Sequence, residues 1–228
     1  MKLGVVIPAL DEETTIGRVI RDCRQVAAPL GAARIVVADN GSRDRTAEVA
    51  RAASAEVVSV PQRGYGAACL GAIERLGDWP DLLLFIDADG SSAPAELSSV
   101  TAPVRLGRAE LSLGLRDSTE AMTVPQRWGT QLAIRLVNRI WGTRYRDMGP
   151  YRCIERRALA RLGMQDRTWG WTIEMQIRAA ECGLRTVEVP VSWNARVGGA
   201  SKISGTVTGV LKAGAKILWT VARLALRK

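Results

Sequence analysis

In the first part of the chain, apolar residues come in short unbroken runs separated by amphipathic stretches. Leu3 to Ile7 is apolar and ends at Pro8. Arg34 to Asp39 reads RIVVAD, Val57 to Val60 is a third run, and Asp81 to Asp87 reads DLLLFID. Runs of this length without alternation predict strands buried on both faces. Between them, Thr14 to Ala27 places Ile16, Val19, Ile20 and Cys23 on one helical face, and Arg45 to Ala53 and Tyr65 to Leu76 also read as helices. Strands alternating with helices predict an α/β fold, a mostly parallel sheet covered by helices on both faces. Such sheets bind ligands at the carboxyl ends of their strands. The polar clusters fall there: Asp11-Glu12-Glu13, Asp39-Asn40-Gly41-Ser42, Arg63-Gly64-Tyr65-Gly66 and Asp87-Ala88-Asp89-Gly90.

The pattern is less regular further on. Glu110 to Leu115 alternates like a strand, and Arg185 to Trp193 like an edge strand that tolerates Pro190. Helices are predicted over Gln126–Trp141, Glu155–Leu162 and Ile173–Cys182. The last helical pattern spans residues 206–227, so the division is a domain over 1–205 and an amphipathic helix over 206–228. At 100° per residue Lys212, Lys216, Arg223 and Arg227 share one stripe, opposite Val207, Val210, Leu211, Ile217, Leu218, Val221, Leu224 and Ala225. Charge at that spacing is too costly for a transmembrane helix. It suits either an interfacial helix on anionic lipid or a solvated basic face on a helix packed against the domain.

Composition narrows the chemistry. The 228 residues include no histidine, which excludes a Ser-His-Asp triad, a Cys-His pair and a His-ligated zinc site. The net charge is +9, but residues 196–228 hold seven basic residues and no acid. A nearly neutral body with a basic end is not the footprint of a general nucleic-acid binder. Cys23, Cys69, Cys153 and Cys182 form no CxxC pair and read as reduced, mostly buried thiols of a cytoplasmic protein. The N-terminal run is short, contains Pro8 and meets two acids at once, unlike a signal peptide.

Asp87-Ala88-Asp89 offers two carboxylates at a strand end, suited to Mg²⁺ or Mn²⁺ shared with substrate phosphates. The same segment also reads as a loop before a helix that starts near Ser91, Ser92 and Pro94. Asp39 ends its strand, where a carboxylate can accept an N–H from a nucleobase, whereas Gly41, Ser42 and Asp44 suit a turn and helix cap. Arg63-Gly64-Tyr65-Gly66 opens like GxGxxG without the third glycine. Its backbone N–H groups are candidates to meet a diphosphate at a helix N-terminus.

Together, IPALDEE at 7–13, VADNGSRDRT at 37–46, RGYGAA at 63–68 and IDADGS at 86–91 resemble, in order and spacing, the GT-A-fold inverting family 2 glycosyltransferases, and among them the dolichyl- or polyprenyl-phosphate sugar synthases. RDMGPYR at 146–152, WGWTIEMQIRAAECGLRTVEVPVSW at 169–193 and RVGGASKISGT at 196–206 extend the resemblance over nearly the whole chain. It implies that Pro8, Leu10 and Glu12 pack around a nucleotide's base and ribose and that Asp39 reads the base. Asp87 and Asp89 would position metal and diphosphate, with Ala88 contributing backbone. Arg116, Arg127, Arg196, Ser201 and Lys202 would meet the diphosphate or the acceptor phosphate. Where related synthases often carry Gln, this chain has Ser91, so the third metal ligand shifts to water or Ser91.

The implied donor is a nucleotide-sugar, UDP before GDP and UDP-glucose for example. The implied acceptor is a polyprenyl phosphate at the cytoplasmic face of a membrane, touched peripherally through 206–228. A phosphate acceptor is already anionic and needs no base, which suits a His-free, Arg-rich site. A hydroxyl acceptor would need one, and Asp147 and Glu174 are the candidates. Asp147 reads equally as a partner of Arg144 or Arg146, and Glu174 as a helix N-terminal charge. The alternatives of another class are a nucleotidyltransferase and a non-enzymatic basic module.

Overall fold

The computed structural model describes residues 1–117, 122, 124–194 and 207–227. Its centre is a seven-stranded sheet in the order β3-β2-β1-β4-β6-β5-β7. The strands are β1 (Lys2–Ala9), β2 (Ala32–Asp39), β3 (Glu56–Ser59), β4 (Leu82–Phe85), β5 (Leu111–Arg116), β6 (Arg152–Glu155) and β7 (Thr186–Val191). β1 pairs in parallel with β2 and β4, β2 with β3, and β5 with β7; β6 runs antiparallel to both neighbours. One reversed strand therefore joins two parallel sets. Pro190 sits exposed on β7 at the sheet edge, where a missing N–H breaks no inner ladder.

Alternate residues of the central strands feed two cores. Val6, Val36, Leu83 and Phe85 face one side; Val5, Ile7, Val37, Leu82 and Leu84 face the other. The second side is covered by α1 (Ile16–Ala27), α2 (Thr46–Ala52) and α4 (Leu97–Arg105). The first carries α3 (Tyr65–Leu76), α5 (Val124–Trp141), α6 (Arg156–Leu162), α7 (Trp171–Glu181) and α8 (Val207–Ala225). Unbroken apolar runs in β1 and β4 are what two-sided burial requires. β6 and the body of α4 had no expectation attached: β6 is four residues long and begins with a fully buried arginine, Arg152.

Of the stripe expected to face lipid or water, Lys216 and Arg223 are instead turned inward, while Arg227 is exposed just beyond the helix. Lys216 Nζ lies 2.9 Å from Asp166 Oδ2, and Arg223 Nη2 lies 3.8 Å from Glu174 Oε1. Both carboxylates have side chains with no solvent exposure. A buried anion without a cation is expensive, and Lys216 supplies the one for Asp166, whereas Glu174 already has Arg178 at 2.9 Å. Ala213, Val221 and Leu224 are buried beside them. Among the described side chains of α8, Ala215, Leu218, Trp219 and Ala222 are exposed, with Leu226 following. Among the described residues no helix is long and apolar enough to cross a membrane. Cys23, Cys69 and Cys153 are buried free thiols and Cys182 is half-buried.

Candidate active site at the strand ends

A cavity of about 410 Å³ opens at the carboxyl ends of β1, β2 and β4. Of the residues expected there, Pro8, Leu10, Glu12, Gly64, Asp87, Ala88 and Asp89 line it. Asp39 does not; its Oδ1 accepts the Ser42 N–H at 3.1 Å, and the neighbouring Asn40 lines the cavity instead.

The acidic segment after β1 is locked to the turn after β2. The Asp11 N–H donates to Ser42 Oγ (2.9 Å), and Asp11 Oδ1 accepts the Arg43 N–H (2.7 Å). The Glu12 N–H donates to Thr46 Oγ1 at 2.7 Å, the Glu13 N–H to Asp44 Oδ2 at 3.1 Å, and the Arg45 N–H to Glu13 Oε2 at 3.0 Å. Asp11 takes φ of 50° to make this exchange. The same lock presents Glu12, 5% exposed, to the cavity.

Asn40 organises the next wall. Its Nδ2 donates to the carbonyls of Val60 (2.9 Å) and Gln62 (2.7 Å), and its Oδ1 accepts the Gly64 N–H (2.8 Å). Gly64, at φ 141°, has no room for a side chain, because a Cβ would lie 2.1 Å from the Arg167 carbonyl oxygen. Gly66 is equally tight, 2.1 Å from the Asp166 carbonyl oxygen. The Gly66 N–H donates to Thr168 O (3.2 Å) and the Ala67 N–H to Arg167 O (2.9 Å). In the loop whose backbone was expected to offer N–H groups to a diphosphate, those of Gly64, Gly66 and Ala67 are bonded within the protein. The glycines serve the close approach of residues 166–168, which brings Thr168 and Trp169 into the cavity wall.

Asp87 Oδ1 accepts a hydrogen bond from the Tyr65 hydroxyl at 3.1 Å. Burial, and then the Asp87 carboxylate, push the Tyr65 phenol well above its ordinary range, so it stays a donor. Asp89, 8% exposed, has Oδ1 bonded by the Ser91 N–H (2.9 Å) and the Ser91 hydroxyl (2.6 Å). Ser91 thus holds Asp89, and a turn at Pro94–Glu96 then leads into α4. Among the described residues no group of three or more metal-ligating acids or thiols gathers. Two carboxylates without a third suit a hard cation that takes its remaining ligands from phosphate and water.

The remaining expected residues are placed elsewhere. Arg116 and Asp147 form a nearly buried two-pronged ion pair, Nε to Oδ2 at 2.7 Å and Nη2 to Oδ1 at 2.5 Å. Arg144 and Arg146 are not its partners; Arg146 pairs with Glu188 (2.9 Å). Burial pushes the Asp147 carboxyl up, but Arg116 outweighs it and the net direction is down. Arg116 also stacks over Trp193, 5.0 Å from the ring centroid. Glu174 is fully buried and accepts the N–H groups of Gln165 (3.1 Å) and Asp166 (2.6 Å) and the Arg178 Nε–H (2.9 Å). Neither candidate base lines the cavity. Arg127 lies exposed on α5, and Arg196, Ser201 and Lys202 fall outside the described residues. Asn40, Tyr65, Thr168 and Trp169 were not singled out, although each lies in or beside a motif already quoted.

Residues 4–165 match the family model for Glycosyl transferase family 2. The chain belongs to this family. An uncharacterized glycosyltransferase of Mycobacterium tuberculosis is 36% identical over 209 residues, covering 90% of this chain and 91% of the relative. Polyprenol monophosphomannose synthase of Mycolicibacterium smegmatis is 30% identical over 226 residues, covering 89% and 81%. Among solved structures, glucosyl-3-phosphoglycerate synthase from M. tuberculosis in complex with Mn²⁺, UDP and glucosyl-3-phosphoglycerate aligns with a TM-score of 0.77. That alignment covers 97% of this chain and 79% of the other at 22% identity, which speaks to the fold, GT-A. The family 2 enzyme described here is thus a glycosyltransferase whose strand-end cavity contains its Asp87-Ala88-Asp89 motif.

Proposed function

We propose that this glycosyltransferase moves a sugar from a nucleoside diphosphate sugar, a UDP-sugar before a GDP-sugar, to a polyprenyl phosphate at the cytoplasmic face of a membrane. The observation that carries the reading is the pair Asp87 and Asp89 facing a cavity walled by Pro8, Leu10 and Glu12. That the M. smegmatis relative is a polyprenol monophosphomannose synthase supports the acceptor, and the UDP bound by the structural neighbour supports the donor.

Asp87 and Asp89 would hold a Mg²⁺ or Mn²⁺ ion, which when bound neutralises charge on the departing diphosphate. Tyr65 and Ser91 fix the two carboxylates by hydrogen bonds, so little reorganisation accompanies the reaction. Pro8 and Leu10 supply an apolar surface for the base, and Glu12 an acceptor for a ribose hydroxyl. An acceptor phosphate oxygen forms the new bond to the anomeric carbon as that carbon's bond to the diphosphate oxygen breaks. The bond electrons leave with the nucleoside diphosphate, and configuration inverts. No proton has to be removed, in keeping with Asp147 and Glu174 being committed to ion pairs.

The test is transfer from UDP- and GDP-sugars to a short polyprenyl phosphate, with and without Mn²⁺ or Mg²⁺. Asp89→Ala is expected to lower transfer by about a hundredfold or more. Unchanged transfer by that variant would remove the DxD pair from the mechanism.

A further inference from the structure

Two helices carry most of the large apolar side chains that this protein leaves in solvent. Among the described residues these side chains are Met1, Leu106, Val124, Trp128, Leu132, Leu218, Trp219 and Leu226. All but the first two lie on α5 or on α8 and its end. Trp128 is 69% exposed and Trp219 61%. On α5, Val124, Trp128 and Leu132 recur every four residues and so share one face. The two helices pack against each other. Both bury their inner sides in the same core, through Ile134 and Val137 on α5 and Val221 and Leu224 on α8. Their outward faces are therefore neighbouring strips of one surface. A contiguous exposed patch of this kind marks an interaction site.

The charges select the occupant. Neither α5 nor α8 contains an acidic residue. Arg127, Arg135 and Arg139 are exposed on α5, and Arg227 is exposed just beyond α8. A symmetric contact between two copies would set these arginines against each other without an acid to answer them. Tryptophan and leucine among arginines instead suit the boundary between acyl chains and anionic headgroups. Lys216 is paired with Asp166 and Arg223 is turned towards Glu174, so these two cations of α8 face the core rather than the outer surface.

We propose that the paired outer faces of α5 and α8 dock this enzyme on an anionic bilayer, with Trp128 and Trp219 as interfacial anchors and the α5 arginines on the headgroups. The proposal is independent of the acceptor chemistry, since it needs only the side chains on this surface.

The test uses the full chain and phosphatidylcholine vesicles with or without phosphatidylglycerol, free of polyprenyl phosphate and nucleotide. Co-sedimentation is expected with the anionic vesicles and should weaken as salt rises. Trp128→Ser combined with Trp219→Ser is expected to lower vesicle partitioning by about tenfold or more. Its thermal midpoint and UDP binding should be unchanged, because both side chains are exposed and outside the cavity. Arg135→Gln with Arg139→Gln is expected to lower partitioning by about tenfold and to flatten its salt dependence. The proposal is overturned if the wild-type chain ignores anionic vesicles, or if the double Trp variant binds them as well as wild type does. It is also overturned if the chain forms a dimer that the Trp variant dissolves while vesicle binding stays intact.

Discussion

At the scale of single residues, the site depends on groups that hold other groups. The Tyr65 hydroxyl aims Asp87, and Tyr65→Phe removes that bond without opening the core. Losing one hydrogen bond to a carboxylate is expected to cost transfer about tenfold, with the thermal midpoint lowered by only a few degrees. A kcat titration against Mn²⁺ would read it. Asn40 uses both amide protons and its oxygen. In Asn40→Asp, a carboxylate would face the Val60 and Gln62 carbonyls in place of two donors. Destabilisation of about 2 kcal/mol is expected by chemical denaturation, with weaker nucleotide binding. Asp39 and Asn40 also show the reach of sequence reading at this scale. The motif was legible, but which of two adjacent side chains lines the cavity depends on turn geometry that spacing does not encode.

At the scale of elements, the four N-terminal strands and the helices between them were legible because two-sided burial writes itself as unbroken apolar runs. β6 was not. Four residues are too few for periodicity, and buried Arg152 disguises the strand by donating to the Thr172 carbonyl (3.0 Å) and to that of Gly149. The orientation of α8 was also hidden, because amphipathicity gives two faces and not which one meets the core. The deciding partner, Asp166, lies far away in sequence. Burial pushes the Asp166 carboxyl up, but Lys216 and Thr168 hold it below its ordinary value. Its folded pKa is thus below the unfolded one. The pair's stabilisation is full above about pH 4 and is lost as pH falls through the folded value. Lys216→Met leaves the anion buried alone. The variant is expected to be about 2 kcal/mol less stable at pH 7, and the gap to wild type should narrow towards pH 4 as Asp166 takes up a proton. Thermal melts of both proteins from pH 7 to pH 3 would measure it.

At the scale of the whole molecule, the helix that the sequence sets apart from a domain over 1–205 is tied to that body through Asp166. Asp166 joins them: Oδ2 takes Lys216 and the Thr220 hydroxyl (3.4 Å), while Oδ1 takes the Thr168 N–H (2.8 Å) and hydroxyl (2.9 Å). A chain ending at residue 206 is expected to melt lower and to bind a UDP-sugar more weakly, because the turn bearing Thr168 and Trp169 loses its support. Differential scanning fluorimetry with and without UDP would separate the two effects.

The Asp166 junction also bears on how the protein is made. Synthesis runs from the N-terminus, so the sheet and most of the cavity can form while α8 is still inside the ribosome. Until Lys216 and Thr220 emerge, Asp166 has nothing on its second oxygen, and the turn that caps α3 has reason to stay open to water. Completion of the donor pocket is therefore tied to the emergence of α8, which follows Asp166 well after the turn itself has been made. A nascent enzyme of this build gains its grip on nucleotide late, at about the moment its tryptophan-bearing outer face becomes available.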